Sequence, residues 1–170
     1  MARLHDKVAV VTGGSAGIGL GIVRRLVDEG AKVLFCGQDE ARGAAAQAEL
    51  GSPNALFMRA DVGVEGDVEA LIAGAVEHFG RLDVLVNNAA KAAVSLISEH
   101  STDDWRRSMA VNLDSVFFAS RAAIAQFRKQ GGGIIVNIAS ISGLAGDGAY
   151  PSYCAQKGAV INLTKAMAVY

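Results

Sequence analysis

Cysteine is scarce in this sequence: Cys36 and Cys154 are the only two among 170 residues, far apart and with no further ligand residue at a close repeating spacing. That excludes a disulfide framework and a zinc site, and no metal is expected; a reducing, cytoplasmic compartment fits. An excess of one charge is lacking too, since the formal net charge is −1 and the basic residues are scattered. Nucleic acid is therefore excluded as an expected partner, because a phosphate backbone needs a clustered basic track. Long apolar runs are also missing. The opening "MARLHDKVAVVTGG" breaks at glycines before reaching the length of a signal-peptide core, and "SVFFASRAAIAQF" is interrupted by Arg121, so no membrane association is expected. There is no repeat, low-complexity tract or obvious linker, and both prolines, Pro53 and Pro151, fall where elements change. A chain of this length that is 51% hydrophobic suits one compact soluble domain over residues 1–170.

What is present is alternation. "KVAVVTG" (Lys7 to Gly13), "KVLFCG" (Lys32 to Gly37), "ALFMRAD" (Ala55 to Asp61), "LDVLVNNA" (Leu82 to Ala89) and "GIIVNIAS" (Gly133 to Ser140) read as five strands. Their near-continuous apolar character suits strands buried on both faces. Between them, Gly17 to Gly30, Asp39 to Leu50, Glu65 to Gly80 and the long Thr102 to Gln130 carry apolar residues at helical spacing, and Ser152 to Tyr170 begins a fifth helix. The predicted class is α/β, with a parallel sheet and crossover helices.

The first strand runs into "TGGSAGIG" (Thr12 to Gly19), where Gly13, Gly17 and Gly19 form a G-x-x-x-G-x-G spacing. At a strand-to-helix junction, missing side chains let backbone N–H groups and the helix N-terminus approach a pyrophosphate. Glycines also permit plain tight turns, but the position after the first strand favours the dinucleotide. Near the end, Tyr153 and Lys157 stand at i and i+4, on one helix face. A neighbouring ammonium stabilises a phenolate, so Tyr153 is a candidate general acid or base. Ser140, expected at the carboxyl end of the fifth strand, is placed to hold a substrate oxygen, with Ser142 as its competitor. Taken singly, each of these residues has an ordinary structural reading; together, in order and beside a dinucleotide turn, they read as a site. No histidine has a serine or cysteine partner at a suggestive spacing, and Cys154 reads as packing.

The turn, together with "NNAA" (Asn87 to Ala90), the pair Asp61-Val62, "YCAQK" (Tyr153 to Lys157), Asn112 and Ser140, resembles the short-chain dehydrogenase/reductase family, in the family's order from about Lys7 onward. The resemblance implies a Rossmann-type doubly wound sheet. It implies an oxidoreductase moving hydride between NAD(P) and a carbonyl or secondary alcohol, with Tyr153 as general acid/base and Asn112, Ser140 and Lys157 completing the catalytic set. Cofactor contacts are implied for Gly13, Ser15, Gly17, Ile18, Gly19, Gln38, Asp61, Val62, Asn88, Ala89, Tyr153 and Lys157. In that reading Lys157 also hydrogen-bonds the nicotinamide ribose, and Asn112 supports a water on a proton path. A homotetramer is implied, built partly through the long fourth helix and the helix after Pro151. Ala90 departs from the family's glycine. Family members continue past the catalytic helix into two more strands and a substrate-covering helix. The sequence is therefore expected to be C-terminally incomplete, with the fifth strand left as an apolar edge. The alternative is a non-catalytic dinucleotide-binding fragment or sensor.

The choice of cofactor rests on "FCGQDEAR". Gly37 stands where an NAD-type acid is expected, Gln38 where NADP-type relatives often carry arginine, and Ala16 supplies no cation. With Asp39 and Glu40 adjacent and Arg42 the only near cation, the balance favours NAD, with NADP left open. The remaining pocket residues, Lys91 to Leu96 and Ser142 to Tyr150, are mostly small or apolar and suit a neutral alcohol or ketone.

Overall fold

The computed structural model describes residues 2–169. Five strands, β1 (Val8–Val11), β2 (Lys32–Gly37), β3 (Ala55–Arg59), β4 (Val84–Asn87) and β5 (Ile134–Asn137), form one parallel sheet in the order β3-β2-β1-β4-β5. Each is shorter than or equal to its apolar run, because pairing stops where the chain turns toward the next helix. The helices are α1 (Gly17–Asp28), α2 (Glu40–Leu50), α3 (Glu65–Phe79), α4 (Thr102–Met109), α5 (Ser115–Gln130) and α6 (Pro151–Ala168). Pro151 sits in the first turn of α6, where its missing N–H costs nothing. Tyr170, the expected last residue of that helix, lies outside the described residues.

Alternation along each strand divides the core in two. Val8, Val10, Leu34, Cys36 and Leu85 pack with α3 and α5 through Val68, Leu71, Ala75, Ala119 and Phe127. Ala9, Val11, Val33, Phe35 and Val86 face the other way, with Val23 of α1 and Ala46 of α2. The central strands are thus apolar at every position because both faces are covered. β5 is an edge strand with one open face: Ile134 and Val136 are 61% and 42% exposed. No helix among the described residues is long and apolar enough to cross a membrane.

The long fourth helix of the sequence reading is interrupted. Between α4 and α5, Ala110–Asp114 form a π-helical turn, in which Ser115 N–H reaches Ala110 O. Wide turns of this kind occur inside α-helices, often where a side chain must be aimed differently from its neighbours. Asn112 lies in it and is fully buried.

At the amino ends of the strands, Asp83 ties three of them together. Its carboxylate accepts from Val8 N–H at 2.9 Å and from the Arg81 guanidinium at 2.9 and 2.7 Å. Its backbone N–H reaches Val8 O, and its carbonyl accepts from Ile134 N–H. Burial pushes this carboxyl up, but the bonds from Arg81 and Val8 together with the charges of Arg81 and Lys7 outweigh it, and it lies below the ordinary carboxylate range. A depressed carboxylate stabilises the fold above its unfolded-state value, and that contribution disappears as pH falls through the folded value. Asp83→Asn is therefore expected to cost about 2 kcal/mol at pH 7, with the cost shrinking below about pH 4. Urea melts at both pH values check this; a cost independent of pH would remove the carboxylate charge from the account.

Candidate active site

The sheet order reverses between β1 and β4, so the chain leaves their carboxyl ends in opposite directions and opens a crevice there. The glycine-rich turn occupies one side of it. Gly13 has φ +65° and a Cβ there would lie 2.9 Å from Ala89 Cα; at Gly19 a Cβ would lie 2.1 Å from Gly13 O. One position needs a left-handed backbone, the other needs no side chain at all. Helix α1 begins at Gly17 with no side-chain cap from Ala16 and no acidic residue in its first turn. Its positive end thus keeps N–H groups for a ligand that faces the crevice.

The other side is held by Thr12 and Asn88. Thr12 Oγ1 accepts from Asn88 N–H at 2.9 Å and Ala89 N–H at 3.0 Å, while Asn88 Nδ2 donates to Thr12 O at 2.9 Å and Gly13 O at 3.2 Å. The cleft between these elements measures about 640 Å³. Of the residues expected at a cofactor, Gly13, Ser15, Ile18, Gly19, Gln38, Val62, Asn88 and Ala89 line it, joined by Arg42, Ala90, Lys91 and Arg107. Gly17 and Asp61 are not among the lining residues.

Asp61 is nonetheless tied to the cleft wall. Its carboxylate accepts from Arg107 Nη2 at 2.7 Å and from Gly63 N–H at 2.9 Å. Burial raises this group, but Arg107, Gly63 N–H and the Gln38 amide together hold it below the usual carboxylate range. Nearby, Gly37 leaves room for Ser15, whose Oγ would lie 2.6 Å from any Cβ at Gly37. Arg42 pairs with Asp39 at 3.5 Å.

Tyr153 and Lys157 do meet on one face of α6: Lys157 Nζ lies 5.6 Å from the Tyr153 ring centroid. The lysine is 3% exposed and donates to Ile138 O at 2.6 Å. Burial lowers its ammonium below the ordinary lysine value. Ser140 lies three residues beyond the end of β5 rather than at it, and caps a 3-10 turn, Ile141–Gly143, by accepting from Ser142 N–H at 3.1 Å. Its own O–H remains to donate. That turn is pressed onto α6: a Cβ at Gly143 would lie 2.7 Å from the Lys157 carbonyl. The Asn112 side chain joins the two regions, since Oδ1 accepts from Lys91 N–H at 2.7 Å and Nδ2 donates to Lys91 O and to Gln156 Oε1, both at 2.6 Å. Tyr153, Lys157, Ser140 and Asn112 do not line the 640 Å³ cleft; of the four, Asn112 is hydrogen-bonded to Lys91 of its wall. Sequence reasoning missed Thr12, Arg107 and Gln156, whose partners are remote in the chain.

Residues 7–170 match the family model described as short chain dehydrogenase. The chain is 43% identical over 170 residues to an L-fucose dehydrogenase of Rattus norvegicus, covering 99% of this chain and 62% of the relative. It is 38% identical over 169 residues to an NADP-dependent (R)-specific alcohol dehydrogenase of Lentilactobacillus kefiri, covering 98% of this chain and 67% of that protein. A meso-2,3-butanediol dehydrogenase of Serratia marcescens is 41% identical over 167 residues, 98% of this chain and 66% of its own. The chain thus spans about two thirds of the length of these relatives.

The contact at Gly19 gives a direct test of the turn. Gly19→Ala forces Gly13 and α1 apart and is expected to abolish dinucleotide binding and lower the melting temperature. Gly21→Ala, exposed and with nothing within 4 Å of its new Cβ, should instead stabilise by about 0.5–1 kcal/mol and leave binding intact. Equal behaviour of the two variants in dinucleotide titrations and thermal melts would contradict the packing account.

Proposed function

The chain belongs to the short chain dehydrogenase family, and on that premise we propose that it carries the dinucleotide site and proton-transfer residues of an NAD(P)-dependent oxidoreductase acting on a carbonyl or secondary alcohol. The observation that carries this reading is the buried Lys157 ammonium, 5.6 Å from the Tyr153 ring centroid, in a chain that also carries a cleft built on glycines. A buried lysine whose charged form is disfavoured is costly as packing alone; beside a phenol it has chemical use.

The cleft fits a dinucleotide in its donors as well as its size. The uncapped start of α1 and the bare Gly13–Gly19 contact suit a pyrophosphate, and Val62 with Ile18 offers apolar surface for a base. When bound, such a cofactor supplies reversible hydride exchange with the substrate carbon. In the reducing direction Tyr153 donates its phenolic proton to the substrate oxygen, and in the oxidising direction it takes that proton back. Lys157 favours negative charge on the phenol oxygen as the proton leaves and would hydrogen-bond the nicotinamide ribose of a bound cofactor. Ser140 donates its free O–H to the same substrate oxygen. The Asn112 amide is committed to Lys91 and Gln156, so its side chain fixes the position of the elements around the proton-transfer residues.

NAD is the favoured cofactor. The cation nearest a 2′-phosphate, Arg42, is already paired with Asp39, and Gln38 offers hydrogen bonds without charge. The small and apolar segments around Lys91 and Ser142 suit a neutral alcohol or ketone. The named relatives act on L-fucose, on an alcohol and on 2,3-butanediol. A homotetramer using α5 and α6 and a cytoplasmic location complete the proposal.

Titration with NADH and NADPH, followed by nicotinamide fluorescence and thermal melting, is expected to give saturable binding with NADH the tighter. Gln38→Arg should reverse that order. Tyr153→Phe should lower turnover by roughly 10²–10⁴-fold while sparing cofactor affinity. Turnover retained by the phenylalanine variant would take Tyr153 out of the chemistry.

A further inference from the structure

Gln156 lies between Tyr153 and Lys157 in sequence and is completely buried. A buried glutamine is a poor filler unless both ends of its amide are used, and here both are. Oε1 accepts from Asn112 Nδ2 at 2.6 Å, and Nε2 donates to Ser108 Oγ at 2.7 Å. Ser108 is itself buried and donates a hydrogen bond to Trp105 O at 3.0 Å.

The direction of this chain is not arbitrary. The Lys91 backbone presents an N–H to Asn112 Oδ1 and a carbonyl to Asn112 Nδ2, which admits one orientation of the Asn112 amide. A donor then faces Gln156, so its oxygen must face Asn112 and its nitrogen must face Ser108. A fixed backbone on the cleft wall therefore dictates, through two amides, how a residue of α6 is turned. The next residue, Lys157, points about 100° further round the helix and is anchored on a different element at Ile138 O. Two adjacent buried anchors reaching different walls fix the rotation of a helix as well as its distance. The 3-10 turn at Gly143 blocks retreat on the side of the Lys157 carbonyl.

We infer that Gln156 is the positioning residue of the site: it sets the rotation of α6 and so the aim of Tyr153 and Lys157. The inference rests on the functional reading given above for those two residues. An apolar residue in its place leaves a buried Asn112 N–H without its acceptor and the Ser108 oxygen without its donor, and removes one of the two adjacent anchors that set the rotation of α6. Glutamate in its place is a pH-dependent substitute. As a neutral acid it keeps one acceptor for Asn112 and one donor for Ser108; as a carboxylate it has no donor. Burial raises a carboxyl, so the neutral form is favoured at mildly acidic pH.

The test compares NADH with ADP, which shares the adenosine diphosphate but lacks the nicotinamide ribose that Lys157 is proposed to hold. Dissociation constants are measured for the wild-type chain and for Gln156→Leu, Gln156→Glu and Lys157→Met. Gln156→Leu and Lys157→Met should each reduce the preference for NADH over ADP by about tenfold, the scale of one hydrogen bond, with ADP affinity unchanged within about twofold. Gln156→Glu should match wild type at pH 5.5 and Gln156→Leu at pH 8.5, which keeps the inference testable should the leucine variant fail to fold. The inference is overturned if Gln156→Leu keeps the wild-type preference, if it weakens NADH and ADP alike, or if Gln156→Glu is indifferent to pH. Wild-type chain that binds NADH no better than ADP, or Lys157→Met that keeps the preference, would strike the functional reading instead, and the inference with it.

Discussion

Where β1 and β4 end side by side, their chains part in opposite directions, and the backbone groups left at the parting need partners. Thr12 and Asn88 supply them: one hydroxyl accepts two N–H groups from the β4 side, and one amide donates to two carbonyls on the β1 side. Unpaired buried backbone groups are costly, so this exchange is a condition for an open crevice at the centre of a parallel sheet. The glycine contacts are a consequence. Gly13 must curve toward Ala89, Gly19 must touch the Gly13 carbonyl, and the uncapped start of α1 is thereby aimed into the cleft.

The two ends of the candidate site use charge in opposite ways. Asp61 is taken from water but surrounded by donors, and the donors prevail, so it stays ionised across the physiological range. Lys157 is taken from water and given one carbonyl, and burial prevails. The first arrangement makes a fixed acceptor that ties Arg107 and the Gly63 N–H together. The second makes an ammonium held at some cost beside an aromatic ring, an arrangement suited to proton chemistry rather than to stability.

Between these ends, the π-turn and the amide chain give the fold a polar backbone-to-side-chain linkage through its interior. Asn112, Gln156 and Ser108 are each at most 1% exposed, yet all three are hydrogen-bonded. Such networks specify one arrangement because a flipped amide opposes donor to donor. Regular α-helix through Ala110–Asp114 would present Asn112 at a different angle; the wider turn changes the phase of the helix at the residue that faces Lys91.

Much of this was legible in the sequence because it depends on short-range pattern. Strands buried on both faces show as unbroken β-branched runs, the crossover helices show at their own period, and the glycine spacing marks the tight strand-to-helix turn. The one-turn separation of Tyr153 and Lys157 likewise survives any packing of α6. Thr12 with Asn88, Arg107 with Asp61 and Asn112 with Gln156 pair across 76, 46 and 44 residues, and a hydrogen bond over such a distance leaves no periodicity to read. The same holds for the shift of Ser140 beyond β5 and for the π-turn, which depend on what the neighbouring elements press against. The sequence by itself determined the elements, their order and the chemical inventory of the site, because backbone preference and hydrophobic period act locally. Only the tertiary structure decided how that inventory is aimed, because orientation is set by buried polar contacts whose partners the chain brings together last.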